Sequence, residues 1–439
     1  MHGATSPQAD VMKSSSELYW VHSIIDISGG GLSMTPGSWL GTTSHEESTN
    51  KNPFVIPYTL ADNFSGEEYV KYYVPRWVSI GPFYYGQSLY AGMENFKRKA
   101  VRELLLLNNN CSADEELASV EKVYRSVEQD LRSARDFYKD IPSWNTISNS
   151  EWCQMMFRDG CFIIYFITST GKRSWLMNRD RDLVWRDILL LQNQLPFKLI
   201  EVLACAFECK EFTDFQLQIP PVLDNYIHKG FLYKPPNPVH LLQYYIDMWT
   251  NVLLNYHILG EEEEEEEEDH QPFSVTDLKK VGIRCSSAIS DHCKDIHLKS
   301  SILSGKLFLP KLIINESTMT LFKNIVAYEY SYRYEDTFFT ISDYLNFMSM
   351  LINGEEDVKE LHARGVIQIN LKFSDDQVIN FMRDITTHIM STILKLLSMS
   401  NDRFLLTAKV EIFSLYELAM LNLSKGTLVV HGVSLCSLL

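Results

Sequence analysis

The sequence has no apolar run long enough to cross a membrane. A spanning helix needs about 20 residues, and the best candidates, residues 161–167 and 427–439, fall short of that. Residues 1–20 show no positively charged segment followed by an apolar core, so no secretory leader is read there. No tract of Lys and Arg marks a nucleic-acid stripe, and a formal net charge of -16 argues against one. That charge is localised. Eight glutamates and Asp269 form a single run over residues 261–269, and without those nine charges the balance is -7. Motifs of catalysis are missing too. There is no Gly-x-Ser-x-Gly elbow, no His-Glu-x-x-His pair, and no phosphate-binding Gly-rich loop ending in Lys-Ser/Thr.

Cysteine is present without a pattern. Eight cysteines are scattered through 439 residues, unlike the dense spacing of a disulfide scaffold. Cys205 and Cys209 are four apart, and Cys285, His292 and Cys293 lie farther along, but the compact Cys-x-x-Cys of a zinc site is lacking. Buried free thiols in a reducing compartment are expected. Neither a metal nor a cofactor is expected.

What the chain does have is helical periodicity, which predicts a predominantly α-helical, compact multi-helix body with a few short extended segments and long loops. Apolar residues recur at three- and four-residue steps over 93–107, 115–137 and 240–254, and again over 318–330, 338–351 and 378–397. Residues 151–167 are apolar on almost every side, with Asp159-Gly160 expected to interrupt or kink that helix. Residues 178–182 read as a short charged link. Lys306-Leu-Phe-Leu-Pro-Lys-Leu-Ile-Ile314 reads as extended, and a further helix is expected over 404–423. Residues 1–50 form a variable, partly disordered segment, 51–420 the helical domain, and 421–439 a divergent or truncated tail. The acidic run at 261–270 is expected to be a solvated insertion; ion clustering or docking to a basic partner is the alternative.

The stretch Tyr73-Val-Pro-Arg-Trp-Val-Ser-Ile-Gly-Pro-Phe-Tyr-Tyr-Gly86 is the most unusual. Its two prolines exclude a continuous helix. Trp77, Phe83 and Tyr84 are expected to anchor the start of the helical body, with Gly81 and Gly86 letting the chain turn. Glu94 and Lys97 are spaced to pair on the following helix. Gln192, Asn193 and Gln194 sit among leucines just before Pro196, and are expected to satisfy backbone groups that the proline frees. Glu329 lies among aromatic residues and is expected to belong to a buried network.

These separated motifs together resemble the plant proteins containing the domain of unknown function 247. The stretch above is similar to that family's Pro-x-x-Val-Ser-Ile-Gly-Pro-Tyr-His-His-Gly signature, and Met93-Glu-x-x-Lys97 to its Met-Glu-x-x-Lys element. Asp187-Ile-Leu-Leu-Leu-Gln-Asn-Gln-Leu-Pro-Phe197 and Asn324-Ile-Val-Ala-Tyr-Glu329 resemble further motifs in the same order. The resemblance covers roughly residues 50–385. It supplies no catalytic residues. Some grass members are pollen-side determinants of self-incompatibility, and many members end in an apolar membrane helix that this chain lacks in full after residue 385. Tyr84-Tyr85 stands where the family has His-His. The resemblance therefore implies a non-enzymatic recognition or signalling protein with an unidentified protein partner, with a membrane-associated partner kept open. An uncharacterised enzyme and a degenerate member without activity are the alternatives. A cytoplasmic or peripheral membrane location is expected over an integral one.

Overall fold

The computed structural model describes residues 53–55, 66–108, 113–139, 147–169, 176, 178–209, 221–223, 235, 237–250, 274–288, 296–301, 304–331 and 340–393. The segments 1–50, 261–270 and 421–439, and the helix expected over 404–423, lie outside the described residues. The described chain is predominantly helical with short strands. It divides into two compact units. The first holds the described residues of Met1–Ile56, Tyr69–Pro221 and Lys234–Tyr245; the second holds those of Pro57–Glu68, Val222–Tyr233 and Ile246–Leu439.

The first unit is built on α1 (Gly66–Tyr73) from Tyr69 onward, on α2 (Ala91–Asn108), α3 (Ala113–Ser133), α4 (Asn149–Thr168), α5 (Asn178–Ile188) and α6 (Phe197–Ala206), and on the start of α7 (Leu241–Thr250). A 3-10 turn, Ala134–Tyr138, prolongs α3. Helix α4 is buried from Trp152 to Ile167 apart from Gln154, as a helix apolar on nearly all sides must be. Helices α2, α3 and α6 pack around it. Its start is set by a capping box: Ser148 Oγ accepts the Glu151 amide, and the Glu151 carboxylate accepts the Ser148 amide at 3.2 Å.

Two local expectations are corrected here. Helix α4 runs through Asp159-Gly160 without interruption. Gly160 serves close packing, because a Cβ there would sit 2.3 Å from Leu203 Cδ1 on α6. Asp159 is fully buried with a cation beside it, so its charge does not force the helix open. Residues 178–182 are the first turns of α5 and not a link. Their charges occupy the start of a helix whose apolar side, Val184, Trp185 and Ile188, is buried further along.

The second unit contains α8 (Val275–Lys280), β1 (Ile283–Ser287), β2 (His297–Ser301), β3 (Ser304–Leu309), β4 (Leu312–Ile314), α9 (Glu316–Ser331), α10 (Thr340–Leu351), α11 (Glu355–Ala363), β5 (Ile367–Ile369) and α12 (Asp375–Ile393). Strands β1, β3 and β2 form one sheet in that order, with β3 parallel to β1 and antiparallel to β2. Strands β4 and β5 pair in parallel. Thus the extended reading of 306–314 corresponds to most of β3 and all of β4, separated by Pro310, which has no amide to give a ladder. Helices α8 and α11 are tied by Asp357. Its Oδ1 accepts the Thr276 amide at 2.8 Å while Oδ2 accepts the Asn353 and Gly354 amides, both at 3.0 Å. Helix α12 packs on α10 and α11.

Among the described residues, no helix is long and apolar enough to cross a membrane. Cys153, Cys161, Cys209 and Cys285 are buried free thiols, and Cys205 is free and exposed.

Candidate functional site

The aromatic stretch leaves α1 as irregular backbone and is gripped by side chains from α4, from the end of α5 and from the turn that follows it. Asp187, fully buried at the end of α5, accepts the amides of three consecutive residues. Oδ2 takes Arg76, Trp77 and Val78 at 3.0, 2.6 and 3.0 Å, and Oδ1 lies 3.1 Å from the Arg76 amide. Successive amides aimed at one carboxylate form a strong anion cradle. The neighbouring Arg186 places Nη1 2.7 Å from Asp187 Oδ1 and donates Nη2 to the Lys71 carbonyl at 2.7 Å. One guanidinium therefore neutralises the carboxylate and caps the end of α1. Burial pushes the Asp187 carboxyl above the ordinary carboxylate range, and Arg186 with the three amides opposes that shift.

Asn193 continues the grip. Its Oδ1 accepts the Ile80 amide at 2.7 Å, and its Nδ2 donates to the carbonyls of Val78 and Asp187 at 3.0 and 2.9 Å. Gln194 donates to the carbonyls of Ile188 and Leu190 and accepts the Leu242 amide at 3.1 Å. The Ile188 and Leu190 carbonyls lie where α5 ends and before Pro196 starts α6, so Gln194 replaces helical partners that the turn removes there, while the Leu242 amide belongs to the start of α7. Gln192 accepts the Tyr69 hydroxyl at 2.7 Å. The Phe197 amide reaches the Val239 carbonyl at 2.8 Å, beside an isolated bridge between Pro196 and His240.

Gly81 marks the next contact. Its amide donates to Asp159 Oδ2 at 2.8 Å, and its φ of 69° is in the left-handed region. A Cβ there would lie 2.9 Å from the Gln194 carbonyl oxygen, so both conformation and space require glycine. Gly86 also has a positive φ, 77°, but open space around it. Asp159 in turn meets Lys97 Nζ at 2.7 Å, and Lys97 donates to Glu94 at 2.6 Å. All of Lys97 is buried. Burial alone would lower its pKa, but the Asp159 and Glu94 carboxylates outweigh burial and raise it. For Asp159 burial wins over Lys97, and its pKa rises to about 6.

Of the aromatic residues singled out by sequence, Tyr84 is buried, with its hydroxyl 3.3 Å from the Tyr73 carbonyl. Trp77 and Phe83 are only half-buried. The deepest side chains of the stretch are Val78 and Ile80. Tyr90 closes it by donating to the Pro75 carbonyl at 2.8 Å.

The sequence-selected residues from Trp77 to Pro196 all lie in the first unit, where Asp187 joins Trp77 to Asn193 and Asp159 joins Gly81 to Lys97 and Glu94. Glu329 belongs to the second unit and a separate network. It accepts the Ser342 amide at 2.8 Å, the Ser342 hydroxyl, and the Ile341 amide at 3.3 Å, which satisfies the start of α10. Sequence reasoning missed Asp159 and His240. His240 is fully buried, with Nε2 3.0 Å from the Pro53 carbonyl and Nδ1 accepting the Gln243 amide at 3.0 Å. This places the proton on Nε2. Burial lowers its pKa to about 4. The available signals were a lone carboxylate inside an apolar helix, and a histidine just before α7.

The chemistry of this arrangement is attachment. Asp187, Asn193 and Gln194 direct their polar atoms at backbone groups of the same unit, leaving each carboxylate or amide committed to an internal partner. Among the described residues, no group of three or more His, Cys, Asp or Glu side chains is arranged to hold a metal ion.

Residues 58–407 match the model of a family described as a plant protein of unknown function, DUF247. The chain is similar to UPF0481 protein At3g47200 of Arabidopsis thaliana, at 24% identity over 352 residues, which span 73% of this chain and 70% of that protein. It is also similar to the putative UPF0481 protein At3g02645 of the same plant, at 32% identity over 99 residues, or 23% of this chain and 18% of that protein. No solved structure matches.

Proposed function

This chain belongs to the DUF247 family of plant proteins, and on that premise we propose that it acts in recognition or signalling without catalysis. The observation that carries this reading is the use of the signature residues. Asp187 accepts the amides of residues 76–78, Asn193 bonds the Val78 carbonyl and the Ile80 amide, and Asp159 accepts the Gly81 amide, so these side chains fix the backbone of residues 76–81. Groups committed in this way hold a shape; they are not poised toward a substrate. The resulting scaffold presents a surface to a protein partner. The segment 210–238, whose Pro220-Pro221, Pro235-Pro236 and Pro238 give it the sequence of a loop, and the acidic segment 261–270 tune the choice of partner. Reproductive recognition of the self-incompatibility type is the narrower form of the same reading.

Proximity labelling of the native protein in expressing tissue, paired with membrane fractionation, tests this reading. Reproducible recovery of a receptor-like or vesicle protein is expected. A diffuse soluble pool with no specific neighbour would overturn it. Expression confined to pollen or anther supports the narrower form, and broad leaf or root expression removes it.

A further inference from the structure

One face of the three-stranded sheet in the second unit is basic. Arg284 on β1 stands opposite Lys306 on β3, and Lys306 stands opposite Lys299 on β2. Directly opposed residues share a face with Cβ atoms about 5 Å apart, so the three cations form a row about 10 Å long. All three are exposed. The next register position adds Ser286, Phe308 and His297 to the same face. Ile283, Cys285, Leu307 and Leu309 occupy the other face and are buried, which leaves the cationic face toward solvent.

Among the described residues, the row has no counter-charge. The six residues at these two positions include no carboxylate. Among the described residues, Arg284, Lys299 and Lys306 form no ion pair. Other surface cations of the same unit do: Lys279 and Arg364 pair with Glu360, Lys280 with Asp277, and Lys359 with Glu355. Like charges directly opposite one another destabilise a sheet. Here Phe308 holds them together. Lys306 Nζ lies 4.8 Å and Lys299 Nζ 5.2 Å from its ring centroid, and the His297 ring stacks on it at 4.7 Å. A ring attracts cations without cancelling their charge. With its neighbours already against it, Phe308 is a poor platform for a nucleic-acid base, so the site reads charge.

We infer that this face binds a compact, soluble polyanion carrying two or more phosphoryl groups. Arginine and lysine donate several N–H groups to tetrahedral oxyanions, and three such side chains in one short row suit linked phosphates. The patch is too small for a long polyanion. A charged membrane would also have to approach a chain of net charge -16, whereas a small anion meets the local field of the row.

Calorimetric titration of the full chain with inorganic tripolyphosphate tests the inference. One saturable site with a Kd of about 0.1 mM or tighter is expected. Lys306→Gln should weaken binding about tenfold. A chain carrying Arg284→Gln, Lys299→Gln and Lys306→Gln should show no saturable binding, while Lys359→Gln leaves the affinity unchanged. Circular dichroism melts of Lys306→Gln and of the triple variant should stay close to the parent's, since relief of mutual repulsion offsets the lost ring contacts. Absence of saturable heat in the parent, or unchanged affinity in the triple variant, overturns the inference. Stronger binding to anionic lipid vesicles or to a polyglutamate peptide than to tripolyphosphate overturns it as well.

Discussion

The Trp77 amide donates to Asp187 Oδ2 at 2.6 Å across 110 positions of sequence. That bond joins the two most distinctive motifs of the chain and sets how the stretch after α1 enters the first unit. Arg76 and Val78 use the same carboxylate. The single buried charge therefore does the work of a missing strand partner for three amides, and Arg186 balances it.

Asp187→Asn should destabilise the protein by about 3 kcal/mol or more, because a buried guanidinium loses its counter-ion and one amide group faces N–H donors. The shift is read from the denaturant midpoint of the full chain. A midpoint equal to the parent's would show that the cradle contributes nothing to stability.

Much of this was readable from local pattern, and the reasons for the rest are physical. Helix α4 announces itself because its residues are apolar on nearly every side. Pro196 announces the break before α6. Asp159 does not declare its role, since one partner, Gly81, is 78 positions away and only the fold brings them together. Read locally, a carboxylate next to a glycine looks like a break. His240 is silent for the same reason: its partner carbonyl belongs to Pro53, 187 positions earlier. The row of Arg284, Lys299 and Lys306 depends on strand register, which short and irregularly spaced strands do not specify in advance.

The two turning glycines should respond differently to alanine. Gly81→Ala combines a left-handed φ with a Cβ 2.9 Å from the Gln194 carbonyl, so a loss of roughly 2–4 kcal/mol is expected. Gly86→Ala meets the conformational strain alone, for about 1 kcal/mol. Equilibrium unfolding of both variants checks the order, and an equal or reversed order would contradict the packing described at Gly81.

His240 predicts a pH dependence. Its pKa falls from the ordinary 6.5 to about 4 in the folded protein. The unfolded chain therefore binds a proton that the folded chain refuses between those values. The contribution of this group is fully present above pH 6.5 and is lost as pH falls toward 4, on the order of 3 kcal/mol in all. Stability measured across that window should decline more steeply in the parent than in His240→Gln. Parallel curves would show that His240 titrates alike in both states.

Residues 76–81 form a rigid anchor whose amides at 76–78, 80 and 81 are satisfied by buried side chains. Native-state hydrogen exchange at the amides of Trp77, Val78, Ile80 and Gly81 tests it most directly. Protection equal to that of the α4 core at Phe162 and Ile163 is expected, with opening only on global unfolding of the unit. Fast exchange at those four amides while α4 stays protected would contradict it.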